Sequence, residues 1–288
     1  MAAQKTSKLR AASISFLCAF AMFLFAACSS APSETDASAE EETTNSEPTA
    51  SEPSALLPDI VPALPTNLVV EPDDDGRLLL AFDTQFDNLG DGPLIIEGEM
   101  MEAETMDARQ SVEYEDGTTR EREGKAGELR FERSEDHNHW HFFRFMRYEL
   151  RDTGGELVAP DQKTGFCVGD RYDADPEVRM EGEPDPPGVF DIAPDGDWCA
   201  EDDPDREELT MGLSVGYGDN YAAFLEGQSI DVSDVPSGEY ILVKRVNADL
   251  EETDTENNAA SLLIELDASE EEPSVSVIES CPDSERCG

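Results

Sequence analysis

Short apolar segments that alternate with polar residues run through the middle of this chain and are separated by turns rich in Gly, Pro, Asn and Asp. Such alternation is typical of β-strands with one buried face, and no long segment has helical periodicity. The predicted strands are residues 77–86, 93–97, 127–133, 140–151, 229–232, 240–246 and 260–266. The sequence therefore predicts an all-β fold, a compact β-sandwich-like domain with long loops, in which residues 260–266 form the last strand.

The connections between these segments carry further predictions. The turn-rich link at residues 234–239 favours a hairpin between segments 229–232 and 240–246. Residues 169–209 form a long connection rich in Asp and Pro. A loop of that length is usually functional or disordered.

The N-terminal residues have the pattern of an export signal. Three basic residues within the first ten precede the apolar segment Ile14–Ala27, which is too short to span a membrane comfortably. Small residues directly before Cys28 resemble the lipobox of bacterial lipoproteins, in which the cysteine becomes lipid-modified. Residues 1–27 are therefore predicted to be a lipoprotein signal peptide. Simple secretion, with cleavage at an Ala-x-Ala-like site, is the alternative.

The residues that follow predict an exported bacterial lipoprotein with a flexible tether. Ser29, in place of Asp, favours the outer membrane, on its periplasmic or surface side. Residues 28–58 contain mainly Ser, Thr, Glu, Ala and Pro, and they cannot bury enough apolar surface to offset the entropy of ordering. We expect a disordered acidic linker at 28–58, a folded domain at 59–268 and an acidic tail at 269–288.

The net charge of −47 restricts the possible partners. A protein that binds nucleic acid needs Lys and Arg to replace the counterions of the phosphates, so nucleic acid is excluded. Two interpretations of the acidity remain open. It provides a solvated surface suited to salty surroundings, or it attracts cationic substrates such as amines.

Six cysteines fit an exported protein. One lies within the signal peptide and Cys28 is the candidate lipidation site. The other four, which are disulfide candidates, are Cys167, Cys199, Cys281 and Cys287. Three pairings of these four are possible, and the simplest joins Cys167 to Cys199 and Cys281 to Cys287.

All three histidines of the chain fall within five residues, at His137, His139 and His141. On a strand this spacing places them on one face, whereas on a helix the middle one would point away. The opposite face, predicted to be core, consists of Trp140, Phe142, Met146, Tyr148 and Leu150. Phe143 and Phe145 are then expected on the histidine face.

The histidine cluster predicts a metal site. An ideal strand would separate the outer two histidines by roughly 13 Å, so three ligands require a bend or a bulge. Imidazole suits copper, zinc, iron and nickel alike, so the residues leave the metal open. One or two ligands beside a bystander, or a solvated cluster without metal, are the alternatives.

Several ordered segments together resemble the catalytic domain of the lysyl oxidase family. Besides the histidine run, they are residues 88–94 (Asn-Leu-Gly-Asp-Gly-Pro-Leu), 163–167 (Lys-Thr-Gly-Phe-Cys), 212–221 (Gly-Leu-Ser-Val-Gly-Tyr-Gly-Asp-Asn-Tyr), 228–232, 236–240 and 252–258. Each segment alone is weak, but their order is specific. The resemblance covers roughly residues 68–266.

The resemblance implies a copper-dependent oxidase that converts primary amines to aldehydes with O₂ and releases hydrogen peroxide and ammonia. It assigns the three histidines as copper ligands. It also assigns Lys163 and Tyr221 as the precursors of a built-in lysine tyrosylquinone. The implied substrate is a primary amine or a lysyl side chain.

Each of these residues also has a simpler interpretation. Lys163 alone would be a surface lysine, and Tyr221 a core or rim tyrosine. Asp219 would be a turn residue rather than a base, and Asn257 and Asn258 would form a turn. A non-catalytic periplasmic or surface protein that binds copper or zinc is the alternative function. An interaction module on a tether is a third interpretation.

Overall fold

The computed structural model describes residues 52–133, 138–161, 165–174, 199–225, 227–247, 249–269 and 272–287. Within them, the secondary structure consists of β-strands without a helix, which confirms the all-β prediction. In chain order the strands are β1 (Ala55–Leu56), β2 (Ile60–Pro62), β3 (Thr66–Pro72), β4 (Leu78–Asn88), β5 (Leu94–Glu102), β6 (Thr105–Tyr114), β7 (Thr119–Glu121), β8 (Gly127–Arg133), β9 (Asn138–Phe143), β10 (Met146–Asp152), β11 (Leu157–Pro160), β12 (Gly165–Phe166), β13 (Tyr172–Asp173), β14 (Glu208–Leu213), β15 (Tyr217–Tyr221), β16 (Ser229–Asp231), β17 (Gly238–Val246), β18 (Ala259–Asp267) and β19 (Ser274–Cys281).

Several predictions lie outside the described residues. They concern the signal peptide, Cys28, most of the acidic linker, His137 and Lys163. The first described strand, β1, begins at Ala55. No segment of the described chain forms a helix that is long and apolar enough to cross a membrane.

The strands form three antiparallel sheets. The first has the order β12-β9-β8-β6-β5-β14, with β1 and β7 also paired to β6. The second has the order β11-β10-β17-β18-β19. The third has the order β13-β15-β4-β16, with β2 and β3 also paired to β4. The histidine strand β9 thus belongs to the first sheet, and the strand that ends at Tyr221 belongs to the third.

The core forms where alternating side chains of these sheets meet. In β18, Leu262, Ile264 and Leu266 are buried while Glu265 is exposed, which is the expected period of two. Aromatic rings fill the centre: Phe86 lies 4.9 Å from Phe145 between ring centroids. Burial of one such ring contributes about 1.5–3 kcal/mol, so these contacts hold the sheets together.

The predicted continuous strand at 140–151 is wrong, because it is two strands in different sheets. β9 pairs with β8, whereas β10 pairs with β17. Arg144 between them has a φ of 60°, a left-handed conformation that a strand cannot contain. The turn also reverses the predicted position of Phe145, which is fully buried rather than on the histidine face.

Two further strand predictions are wrong. The expected hairpin does not form, because β16 pairs with β4 while β17 lies between β10 and β18. The middle of β17 is buried continuously, so it needs a strand on each side, and turn composition alone does not choose that neighbour. β18 is also not the last strand, since β19 pairs with it as an edge strand. An edge strand needs few core residues, and acidic residues flank this one on both sides, which explains why the sequence concealed it.

Candidate metal and tyrosine site

Two of the three histidines converge in the structure. His139 and His141 point to the same face of β9, and their Nε2 atoms are 2.9 Å apart. His141 is buried and His139 is half-buried. The i, i+2 spacing on a strand produces this convergence, because alternate side chains share a face.

This donor pair fits a metal that prefers imidazole. Two imidazole nitrogens this close together either share a hydrogen bond, with one ring as donor, or are placed as two ligands of one ion are. His137, the third predicted ligand, lies outside the described residues. Among the residues that the structure describes, no group of three or more His, Cys, Asp or Glu side chains could hold a metal ion.

Gly165 lies directly against His141. It begins β12, which pairs with the end of β9, and its Cα faces that of Phe143. A Cβ at this position would lie 2.7 Å from the His141 Cβ and 2.8 Å from the Phe142 carbonyl oxygen. Both distances are too short, so only glycine fits here. Gly165 therefore allows β12 to pack directly against the histidine strand.

The next residue, Phe166, connects this point to Tyr221. Its ring centroid lies 4.9 Å from that of Tyr221, in an edge-to-face arrangement. Tyr221 ends β15 and is buried. Its hydroxyl donates a hydrogen bond to the Cys167 carbonyl oxygen at 2.6 Å. Burial, with the nearby Asp219 carboxylate, raises the pKa of Tyr221 well above its ordinary value, so the phenol is neutral.

An ion pair lies beside the phenol. Asp219 is fully buried in β15 and accepts hydrogen bonds from the Arg171 guanidinium and the Gly169 N–H. The guanidinium carbon of Arg171 lies 5.2 Å from the Tyr221 ring centroid. Burial raises the pKa of Asp219 to about 6, against the lowering effect of Arg171. The interpretation of Asp219 as a turn residue is wrong, because it lies within a strand.

The ion pair with Asp219 also changes the pKa of Arg171. Burial alone lowers the pKa of Arg171, but the Asp219 carboxylate outweighs that effect and raises it above the usual range. The cluster is therefore a permanent cation, a carboxylate and a neutral phenol in one buried space. Sequence reasoning missed Arg171. The sequence feature that could have indicated a role for Arg171 is its position four residues after Cys167.

Hydrogen bonds bring the motif segments together. Asp170 accepts two bonds from Ser214, one from its N–H and one from its hydroxyl, both at 2.7 Å. The Asn88 side-chain amide donates to the Leu213 carbonyl oxygen at 3.0 Å. The Tyr172 hydroxyl donates to Asp87 at 2.7 Å. These hydrogen bonds bring together motif segments that are distant in sequence. The motifs therefore occur together because they form one region of the fold.

Both predicted disulfides are confirmed. Cys167 bonds to Cys199 and Cys281 bonds to Cys287. The first also supports the site, because the Cys199 carbonyl oxygen accepts a bond from the Trp140 N–H at 2.9 Å. One disulfide therefore connects the backbone beside the histidines to the carbonyl that holds Tyr221.

The fold and the site define an all-β protein with a histidine pair on β9 and a buried tyrosine on β15, connected through β12. Comparison with known proteins gives its relatives: residues 203–278 match the family model described as lysyl oxidase. The chain is 30% identical over 125 residues to lysyl oxidase homolog 2 of Gallus gallus, covering 42% of this chain and 13% of that protein. It is 30% identical over 142 residues to lysyl oxidase homolog 3 of Homo sapiens, covering 47% of this chain and 15% of that protein.

These matches show that part of the chain is similar to lysyl oxidase family members, which confirms the resemblance predicted from its motifs. The matched region spans only about a seventh of the length of those relatives. The family match at residues 203–278 includes Tyr221 and Asp219, the carboxylate of the ion pair.

Proposed function

We propose that this protein is a copper-dependent amine oxidase that acts on primary amines. The observation that carries the proposal is the histidine pair on β9, against which Gly165 packs, together with the contact of the next residue, Phe166, with Tyr221. Lys163 precedes Gly165 by two residues, and chain connectivity alone keeps its Cα within about 7 Å of the Gly165 Cα. This supports a role for Lys163 close to the histidine strand.

The residues fit the two groups that such an enzyme needs. His139 and His141, with His137, would hold copper, and Lys163 and Tyr221 would be the precursors of lysine tyrosylquinone. When present, these groups supply the oxidation of a primary amine by O₂ and water to an aldehyde, ammonia and hydrogen peroxide. The protein supplies the orientation of the reacting residues, the exclusion of water and the control of protons.

The ion pair of Asp219 and Arg171 is suited to the control of protons. The Asp219 Oδ2 atom lies 3.4 Å from the Tyr221 hydroxyl oxygen. With a pKa of about 6, the carboxylate is ionised at neutral pH and can accept a proton. Arg171 fixes that carboxylate and places positive charge over the tyrosine ring, where it favours negative charge on the phenol oxygen. Phe166 covers the ring and excludes water.

Hydrogen peroxide release tests the proposal. Copper-loaded protein is incubated with 1,6-diaminohexane, and the variants are Lys163→Ala and Tyr221→Phe. We expect both to lose at least 100-fold in turnover and to lose quinone staining, since neither can form the cofactor. Tyr217→Phe is the matched control, because Tyr217 lies on the same strand but is partly exposed. Unchanged turnover in Lys163→Ala and Tyr221→Phe would refute the quinone mechanism.

A non-catalytic copper or zinc protein is the second candidate, because the histidine pair alone would satisfy it. Quinone staining after aerobic incubation with copper separates the two. A protein that binds metal stoichiometrically but never stains would be a binding protein.

We also propose that the domain is attached to a membrane through a lipid on Cys28. The small residues before that cysteine support lipidation. The Cys28→Ala protein should leave the membrane fraction and become soluble. A normally processed variant that stays in the membrane would contradict the lipid anchor.

A further inference from the structure

A basic cavity lies at the end of the histidine strand. It has a volume of about 610 Å³ and is enclosed by residues of β8, β9, β10 and β17 with their adjoining turns. Its basic lining residues are Lys125, Arg130, Arg144, Arg147 and Arg245. The chain has only 20 Lys and Arg against 67 Asp and Glu. Two acidic residues, Glu128 and Asp249, also line the cavity, so basic residues outnumber acidic ones by five to two, the reverse of the ratio in the whole chain.

Three of these cations already have carboxylate partners. Lys125 pairs with Asp107 and Glu128, Arg130 pairs with Glu128, and Arg245 pairs with Glu149 and Glu285.

Arg144 and Arg147 differ from the other three. Both are exposed, and within the described part of the chain neither has a carboxylate within 4.0 Å. Asp161, a half-buried carboxyl, is an acidic group on which both arginines act at longer range. Two guanidinium groups at one edge of the cavity are thus available to a ligand. Paired guanidinium groups bind carboxylates through parallel hydrogen bonds.

The cavity lies on the same face of the sheet as the histidine pair, although neither histidine lines it. Arg130 is the direct cross-strand partner of His141, so their side chains point to the same side. Phe143, two residues after His141, continues that face by about 7 Å. The guanidinium carbon of Arg130 lies 3.7 Å from the Phe143 ring centroid. A ligand with one end at the histidines would therefore place its other end among the arginines.

We propose that this cavity binds the carboxylate of the substrate, so that the preferred substrates are primary amines that also carry a carboxylate. The part of this inference that concerns turnover of the amine rests on the proposed amine oxidase function. The long-range field of a protein with net charge −47 attracts the ammonium group. Arg144 and Arg147 attract the carboxylate at short range, where screening by salt is weak. The carboxylate can belong to a free amino acid or to a peptide side chain.

A binding experiment on the metal-free protein tests the cavity without requiring activity. Calorimetric titration with 6-aminohexanoate is compared with titration with hexylamine, which lacks the carboxylate. The variant is Arg144→Asn with Arg147→Gln, since asparagine tolerates the positive φ of position 144. The control, Arg77→Gln with Arg120→Gln, removes the same charge from exposed ion pairs elsewhere.

We expect 6-aminohexanoate to bind at least 10-fold more weakly to the cavity variant and to be unaffected by the control. Each lost charged hydrogen bond accounts for such a factor. The single variant Arg147→Gln, on an exposed strand position, should show part of the loss if Arg144→Asn disturbs the turn. Equal binding of the two ligands, or equal loss in the control, would overturn the proposal.

Turnover by the copper-loaded protein then separates this inference from the proposed function. The ratio of kcat/KM for 6-aminohexanoate to that for hexylamine should exceed one and fall towards one in the cavity variant. Acetyl-Lys-Asp amide against acetyl-Lys-Asn amide distinguishes a peptide carboxylate from a free one. Turnover of every amine at equal efficiency would refute the cavity but keep the oxidase. Selective binding without any turnover would refute the oxidase and keep the anion site.

Discussion

A buried aspartate and a buried lysine in this protein are stabilised in different ways. Asp219 lies beside the candidate site, paired with Arg171. Lys244 lies in β17, fully buried, and its ammonium group donates to the carbonyl oxygens of Ala63 and Gln85. No carboxylate in the described chain forms an ion pair with it, and burial lowers the pKa of Lys244 to about 7. Asp219 keeps its charge at neutral pH through the ion pair with Arg171. Lys244 has no such partner among the described residues, and its lowered pKa allows it to be neutral in the core.

The largest effect is expected from breaking the pair at the site. Arg171→Met leaves Asp219 as an uncompensated buried charge and should lower the free energy of unfolding by about 3–5 kcal/mol at pH 7. Urea denaturation measures this. Arg109→Met, which breaks an exposed pair with Glu121, should cost less than about 1 kcal/mol.

The pH dependence of that loss identifies its cause. Without Arg171 the pKa of Asp219 in the folded state rises further above its unfolded value. The carboxyl then stabilises the fold at low pH and loses this contribution as the pH rises through its folded-state pKa. The deficit of Arg171→Met should therefore shrink between pH 7 and pH 5. A deficit independent of pH would indicate lost packing instead.

An intermediate effect is expected at Lys244. In the folded state it loses its proton near pH 7, whereas in the unfolded state it stays charged to about pH 10.5. Since the unfolded chain binds more protons in that window, wild-type stability should rise there relative to Lys244→Met, by about 2–3 kcal/mol between pH 8 and pH 10. Parallel stability curves for the two proteins would contradict the pKa of about 7. Lys125→Met is the exposed control.

The smallest effect is expected at Glu252, a second buried group without an ion pair in the described residues. Burial raises the pKa of Glu252 to about 8. Its contribution to stability is complete below about pH 4.5 and is lost as the pH rises through 8, the opposite direction to Lys244. Wild type should lose about 1–2 kcal/mol relative to Glu252→Gln between pH 6.5 and pH 8. Glu256→Gln, at an exposed position of the same turn, should follow wild type.

The sequence predicted the fold where local patterns decide the outcome. Alternation located β4, β8 and β18, because one buried face imposes a period of two on the side chains. It failed at Arg144, since a single left-handed residue moves the following strand into another sheet without changing the hydrophobic pattern. It also failed for the partners of β16 and β17, which depend on long-range packing.

Some features of the candidate site could likewise be predicted from local patterns, and others could not. The spacing of His139 and His141 was sufficient to predict that they face the same side. The ion pair of Arg171 with Asp219 joins residues 48 positions apart, and nothing in the local pattern of either residue indicates the other. The basic cavity collects residues from four strands and could not be anticipated from an overwhelmingly acidic composition.

The disulfide between Cys167 and Cys199 gives the protein a fixed order of maturation. Its two cysteines contribute the carbonyl oxygens that hold Tyr221 and the backbone of Trp140. Before these thiols are oxidised, the tyrosine and the histidine strand lack their covalent link. We therefore expect thiol oxidation to come first and assembly of the metal and tyrosine centre to follow. In a reducing compartment, where this disulfide would not form, we expect Tyr221 and the histidine strand to lack that link.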